Sequence, residues 1–260
     1  MQSLILSSDW SLANARACAE AIQFVYDNPC SIESGLAHGR VLDGKWQGPD
    51  GKLGSTPARV LAWKGSASLA DWRSNFLCRR TVIGSGEEVH EGFLDAMISV
   101  WGRLTSALGS WHGPLFVTGH SRGAALALLS AQILDRVGYS VTAVYTFGGP
   151  RVFNRTAARN YDAVLGSRTF RIVNQEDGVP RVPPALPPLC ALARWSRIWG
   201  YWHVGQEAFI PALGGMIMNP SLVFKLASDL AGTMREWSQG KVAQAMDHPM
   251  SRYVEATQKL

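Results

Sequence analysis

Apolar positions recur at helical spacing in residues 11–27, where Leu12, Ala15, Cys18, Ala19, Ile22 and Tyr26 follow a candidate Ser11 cap. This pattern predicts an opening helix with one buried face. Two extended runs come next, Arg40–Trp46 and Ala58–Trp63, separated by the turn signal Gly48-Pro49-Asp50-Gly51. Ser99–Leu108 has helical spacing. Strand-like runs recur at Leu115–Thr118, Val141–Phe147 and Thr169–Val173, with a helix over residues 122–137 between the first two. A further helical run places Leu222, Leu226, Leu230 and Met234 on one face. Strands alternating with helices predict an α/β fold around a mostly parallel sheet.

Composition narrows this picture. With 260 residues, 47% of them hydrophobic, the chain can form one large core. No linker or fixed-period repeat divides it, so a single domain over residues 1–260 is expected. The net charge of +5 arises between Arg151 and Gly200, where eight arginines face only Asp162, Glu176 and Asp177. Such a basic face would suit anionic membranes or acidic partners, but an ordinary solvated surface with some arginines paired explains it more simply. No nucleic-acid module accompanies it. Cys18, Cys30, Cys78 and Cys190 lack the spacing of a metal site, and neither metal nor cofactor is expected. The first residues lack the basic start and long apolar run of a secretory signal. The uncharged stretch Ala208–Phe224 is too short and too interrupted by proline and glycine to cross a membrane. The default expectation is a cytoplasmic protein, or a secreted one whose leader has been removed.

The chemistry concentrates at Gly119-His120-Ser121-Arg122-Gly123. An apolar strand enters this G-x-S-x-G pentapeptide and an alanine- and leucine-rich helix leaves it, the setting of a nucleophile elbow. Ser121 is therefore the candidate nucleophile, held on a strained turn at the amino end of a helix. Active groups in such sheets gather at the carboxyl ends of the strands. The strand ending at Ile172-Val173-Asn174 runs directly into Gln175-Glu176-Asp177-Gly178, so an acid there lies at the edge that holds Ser121. The order in α/β-hydrolases is serine, acid, histidine, which leaves His203 and His248 as candidate bases. His203 lies in an aromatic-rich stretch; His248 lies in the loop-like Asp247-His248-Pro249, a better position from which to reach a serine.

Several separated segments together resemble the class 3 lipases of the fungal type. Ala62-Trp63-Lys64-Gly65-Ser66, followed by Asp71-Trp72, resembles their strand-to-oxyanion-loop motif, although Lys64 replaces the usual arginine. Val89–Phe93, Gly119–Gly123 and Phe147–Val152 resemble the segment after the lid, the elbow and the next strand end. Val173–Pro180 is similar to the triad-acid motif and Asp247–Tyr253 to the catalytic-histidine segment. Tyr201–Glu207 resembles a segment whose histidine is not the base. Residues 208–245 match no motif of the family. The resemblance implies an α/β-hydrolase fold, a Ser121–Asp177–His248 triad, an oxyanion hole from Ser66 and the backbone of Arg122, and no cofactor. His120 and His90 then become structural histidines.

It also implies lipid or ester substrates, with acylglycerols first. Carboxylesterase or phospholipase A1 activity is the alternative, and an inactive lipid- or partner-binding homologue lies further away. Residues 71–88 are expected to form a lid, with Trp72, Phe76 and Leu77 facing substrate and Gly84 and Gly86 as hinges. Val182–Ala193 and Ala208–Phe224 are expected to line an apolar rim, unless they pack into the core.

Overall fold

The computed structural model describes residues 3–48, 52, 54, 57–65, 79–174, 177–181, 183, 200–211, 214–224 and 249–260. Helix α1 (Leu12–Asp27) begins at Ser11, whose hydroxyl accepts the Asn14 N–H at 3.3 Å. This satisfies a first-turn donor that the helix itself leaves open. The strands that follow are β1 (Leu4–Ile5, preceding α1), β2 (Ile32–Glu33), β3 (His38–Gly44), β4 (Trp46–Gln47) and β5 (Ala58–Trp63). The extended run expected over Arg40–Trp46 thus divides at Lys45, because β3 joins the main sheet and β4 pairs with β1. Strands β6 (Arg80–Val82) and β7 (Glu88–His90) precede α2 (Glu91–Leu108). Then come β8 (Leu115–His120), α3 (Arg122–Arg136), β9 (Val141–Phe147), α4 (Arg155–Leu165), β10 (Thr169–Asn174), β11 (Gln206–Ile210), β12 (Ile217–Met218) and α5 (Met250–Gln258).

Among the described residues the main sheet has eight strands in the order β12-β11-β10-β9-β8-β5-β3-β2. Its five central strands, β5, β8, β9, β10 and β11, are parallel. β3, β2 and β12 complete the edges in antiparallel pairings. Alternate side chains feed two cores. On one face Leu61, Trp63, Leu115 and Val117 pack with residues of α2, α3 and α4. On the other, Val60, Phe116, Tyr145 and Phe170 pack with α1 and α5. A sheet covered on both faces accounts for the predominance of apolar residues in its central strands.

Three expectations need correction. Helix α2 starts at Glu91, eight residues earlier than the Ser99 read from periodicity, and buries Phe93, Ala96 and Met97 in that added length. Ala208–Phe224 forms much of the β11–β12 edge, with Phe209 and Ile210 buried, while Leu222 and Val223 are exposed. The far end of the expected lid is an antiparallel hairpin, β6 with β7, registered Val82 to Glu88. Gly84 and Gly86, expected as hinges, lie in its turn, where Gly86 takes φ +73°. Asn154 Nδ2 donates to the Gly86 carbonyl at 2.9 Å, and Glu87 accepts from Arg136 and Asn160. The hairpin is thereby tied to α3 and α4. Residues 71–78, with Trp72, Phe76 and Leu77, lie outside the described residues, as do the Pro49–Gly51 turn and Val182 with residues 184–193.

Among the described residues of the basic segment, four arginines make internal contacts. Arg168 pairs with Asp135 at 3.1 Å and buried Arg171 with Glu207 at 3.3 Å. Arg151 donates to the carbonyls of Arg181 and Pro183, and Arg155 lies over Trp202. Cys18 and Cys30 are free thiols; Cys78 and Cys190 fall outside the described residues.

Candidate active site

Strand β8 delivers Ser121 into a sharp turn before α3. Its backbone, at φ 58° and ψ −126°, lies in a region that L-residues rarely occupy. Such a conformation costs of order 1–3 kcal/mol and persists only where surrounding structure imposes it. Here the Ser121 N–H donates to the Phe147 carbonyl at 3.0 Å, and the Ser121 carbonyl accepts from Ala124 at 2.9 Å. The flanking glycines make the turn possible. A Cβ on Gly119 would overlap the Gly123 carbonyl, and one on Gly123 would overlap the Trp63 carbonyl.

The register of β5 against β8 sets Trp63 opposite Gly119, which brings the loop after β5 beside the elbow. An ideal Cβ on Gly65 would lie 2.8 Å from Ser121 Cβ, so loop and nucleophile are in contact. The Arg122 N–H belongs to the first turn of α3, where no carbonyl of the helix can receive it. Its guanidinium is held below its usual range by burial. Ser66, the next residue of the loop, lies outside the described residues.

Asp177 follows β10, two strands from β8, at the same carboxyl edge. It is buried. Its Oδ1 accepts the Val179 N–H at 2.8 Å and its Oδ2 accepts the Tyr253 hydroxyl at 2.5 Å. Burial and the neighbouring carboxylate push the Tyr253 phenol well above its ordinary range, so it remains a donor. Tyr253 also accepts the Asn174 N–H at 3.2 Å, which ties α5 to the end of β10.

His248 and Asp247 lie outside the described residues, which resume at Pro249, immediately before α5. The Nε2 of His203 is 2.7 Å from the Pro180 carbonyl, and because a carbonyl only accepts, Nε2 is the donor. His120, beside the nucleophile, meets Tyr26 Oη through Nδ1 at 2.8 Å. His90 is stacked on Phe93 with ring centroids 4.2 Å apart. Tyr26 and Gly65 were not singled out from sequence as site residues. The signal for Tyr26 is a tyrosine on an otherwise apolar helix face, whose hydroxyl needs a partner once buried. Among the described residues no cluster of three or more His, Cys, Asp or Glu could hold a metal ion.

Comparison with known proteins accords with this geometry. The sequence model of lipase (class 3) matches residues 60–186. A secreted mono- and diacylglycerol lipase of Fusarium solani is 32% identical over 160 residues, covering 58% of this chain and 43% of that protein. A chloroplastic phospholipase A1 of Arabidopsis thaliana is 29% identical over 149 residues, covering 48% and 33% respectively. The crystal structure of a mono- and diacylglycerol lipase from Aspergillus oryzae superposes with a TM-score of 0.61 over 82% of this chain and 87% of that one, at 20% identity. That likeness is one of fold, and the fold is that of the α/β-hydrolases. The chain spans less than half the length of the curated relatives first matched. The Fusarium relative is a secreted lipase, and no relative named here supports the default expectation of a cytoplasmic protein.

Proposed function

The chain belongs to the class 3 lipase family, and from that membership we propose that it is a serine hydrolase cleaving acylglycerol esters through an acyl-enzyme. The observation that carries this reading is the strained Ser121 elbow in contact with the loop after β5. A nucleophile and a donor loop are needed together for acyl transfer, and a merely structural serine needs neither.

In the proposed reaction Ser121 Oγ attacks the ester carbonyl carbon while His248 takes the hydroxyl proton. The carbonyl oxygen becomes an oxyanion that receives the N–H of Arg122 and the N–H and hydroxyl of Ser66. One such donor contributes about 3–4 kcal/mol to the transition state. The C–O bond then breaks, and His248 returns the proton to the departing alcohol. Water, deprotonated by the same histidine, attacks the acyl-enzyme and regenerates Ser121. Asp177, fixed by Val179 and Tyr253, orients the imidazole and stabilises its charged form. The relatives favour export from the cell over retention in the cytoplasm. The phospholipase A1 of Arabidopsis keeps a phospholipid acyl ester as the second substrate class.

Labelling with a fluorophosphonate tests the reading directly. The wild type should be labelled at Ser121, and Ser121→Ala should not be labelled. Ser121→Ala and His248→Ala should each lower kcat by about 10⁶-fold, with the double variant scarcely worse, because the residues act as one unit. Substantial activity in His248→Ala beside an inactive His203→Ala would reassign the base.

A further inference from the structure

Tyr26 lies in the last turn of α1, 39 residues before Gly65 and 94 before His120, yet its hydroxyl meets both. Tyr26 Oη accepts the Gly65 N–H at 2.9 Å and lies 2.8 Å from His120 Nδ1. An ideal Cβ on Gly65 would be 2.8 Å from Tyr26 Oη, 2.8 Å from Ser121 Cβ and 3.1 Å from the His120 carbonyl oxygen. Phenol, donor loop and elbow are therefore in mutual contact. The Tyr26 and His120 rings meet edge to face, with centroids 5.8 Å apart.

The hydroxyl has one proton to give. With the Gly65 N–H occupying one lone pair, the hydroxyl proton goes to His120 Nδ1 when the imidazole carries its own proton on Nε2. Burial raises the phenol to about 12, so the hydroxyl keeps its proton through the neutral range. The Gly65 N–H belongs to the Lys64–Gly65 peptide, and the next peptide carries the N–H of Ser66. Only the φ and ψ of a glycine separate the two, and glycine by itself restrains them poorly. The loop therefore needs an external anchor if its next donor is to be set in advance.

We infer that Tyr26 is a positioning residue for the oxyanion hole: its hydroxyl fixes the Gly65 peptide, and with it the start of the donor loop, against the elbow. This rests on the serine-hydrolase reading. Displacing a donor by even 1 Å costs on the order of 10²-fold in rate, while ground-state binding of the ester need not change.

Tyr26→Phe keeps the ring and removes the hydroxyl, and p-nitrophenyl butyrate below its solubility limit is the probe. We expect kcat to fall by about 10- to 100-fold, KM to stay within about threefold and the melting temperature to move by only a few degrees. The loss should not multiply with that of Ser66→Ala: the double variant should be less impaired than the product of the singles, because both act on one donor loop. A kcat within twofold of wild type would overturn the inference. So would losses that multiply fully, or a variant whose kcat falls only as far as its folded fraction falls. Fluorophosphonate labelling of the wild type separates the two hypotheses. An unlabelled wild type defeats the hydrolase reading, whereas a labelled wild type with an unimpaired Tyr26→Phe defeats only the role of Tyr26.

Discussion

Ser121 and His90 show how burial sets the chemistry of single residues. At Ser121 burial enforces a strained backbone that holds the hydroxyl at a helix amino end. At His90 it disfavours the charged ring. The imidazole sits between β7 and α2, stacked on Phe93 and tilted against Tyr201, and desolvation lowers its pKa from 6.5 to about 4. In the folded chain His90 therefore stays neutral down to about pH 4, while in the unfolded chain it binds a proton near pH 6.5. This contribution to stability is fully present above pH 6.5 and is lost as the pH falls toward 4, amounting at the limit to about 3 kcal/mol. Denaturant titrations at pH 7 and pH 4.5 measure it. His90→Phe should lose less stability over that interval than the wild type, because it removes the titrating group while keeping a ring against Phe93. Equal losses in the two proteins would remove His90 from the acid response.

Between elements, the closest constraint is where the start of α3 meets the end of β5. A Cβ on Gly123 would press on the Trp63 carbonyl and lie 2.7 Å from its carbon, and neither is the movable end of a side chain. Gly123→Ala must therefore push the helix off the strand that carries the donor loop. Overpacking of this kind costs about 1–3 kcal/mol, and a shift of the loop would reduce turnover as well. Thermal melts and active-site titration should show both effects; a variant as stable and as active as wild type would mean the helix start can yield. Much at this scale was legible in the sequence. β5, β9 and β8 were readable because their apolar and β-branched residues cluster in short runs, and the elbow because its glycines fall where backbone meets backbone. The β6–β7 hairpin was not: its strands are three residues long and read Arg-Thr-Val and Glu-Val-His, with no period to detect. The contact of Tyr26 with Gly65 was equally hidden, since its partners are distant in sequence and only the fold brings them together.

For the whole molecule, the remaining question is how an ester held in a lipid phase reaches Ser121. Among the described residues no helix is long and apolar enough to cross a membrane. Apolar side chains nevertheless stand in solvent at Val82, on the hairpin, and at Leu222 and Val223, beyond β12. From Arg79 onward the chain is fixed: Arg79 pairs with Glu91 at 3.4 Å, its carbonyl accepts the Glu91 N–H at 2.8 Å, and the hairpin is tied to α3 and α4. In the lid proposed from the sequence for residues 71–88, Trp72, Phe76 and Leu77 are the side chains expected at the interface. Burying them against lipid would contribute ~25 cal/mol per Å² of apolar surface, a gain that no dissolved short ester provides. Activity is thus expected to rise where a long-chain ester passes its solubility limit. Trp72→Ala should weaken turnover of long-chain esters more than that of acetate or butyrate esters. Measuring rates across chain lengths on both sides of the solubility limit decides the matter. Smooth saturation through the limit, with Trp72→Ala impairing all chain lengths equally, would mean a permanently open site and an esterase acting on dissolved substrates.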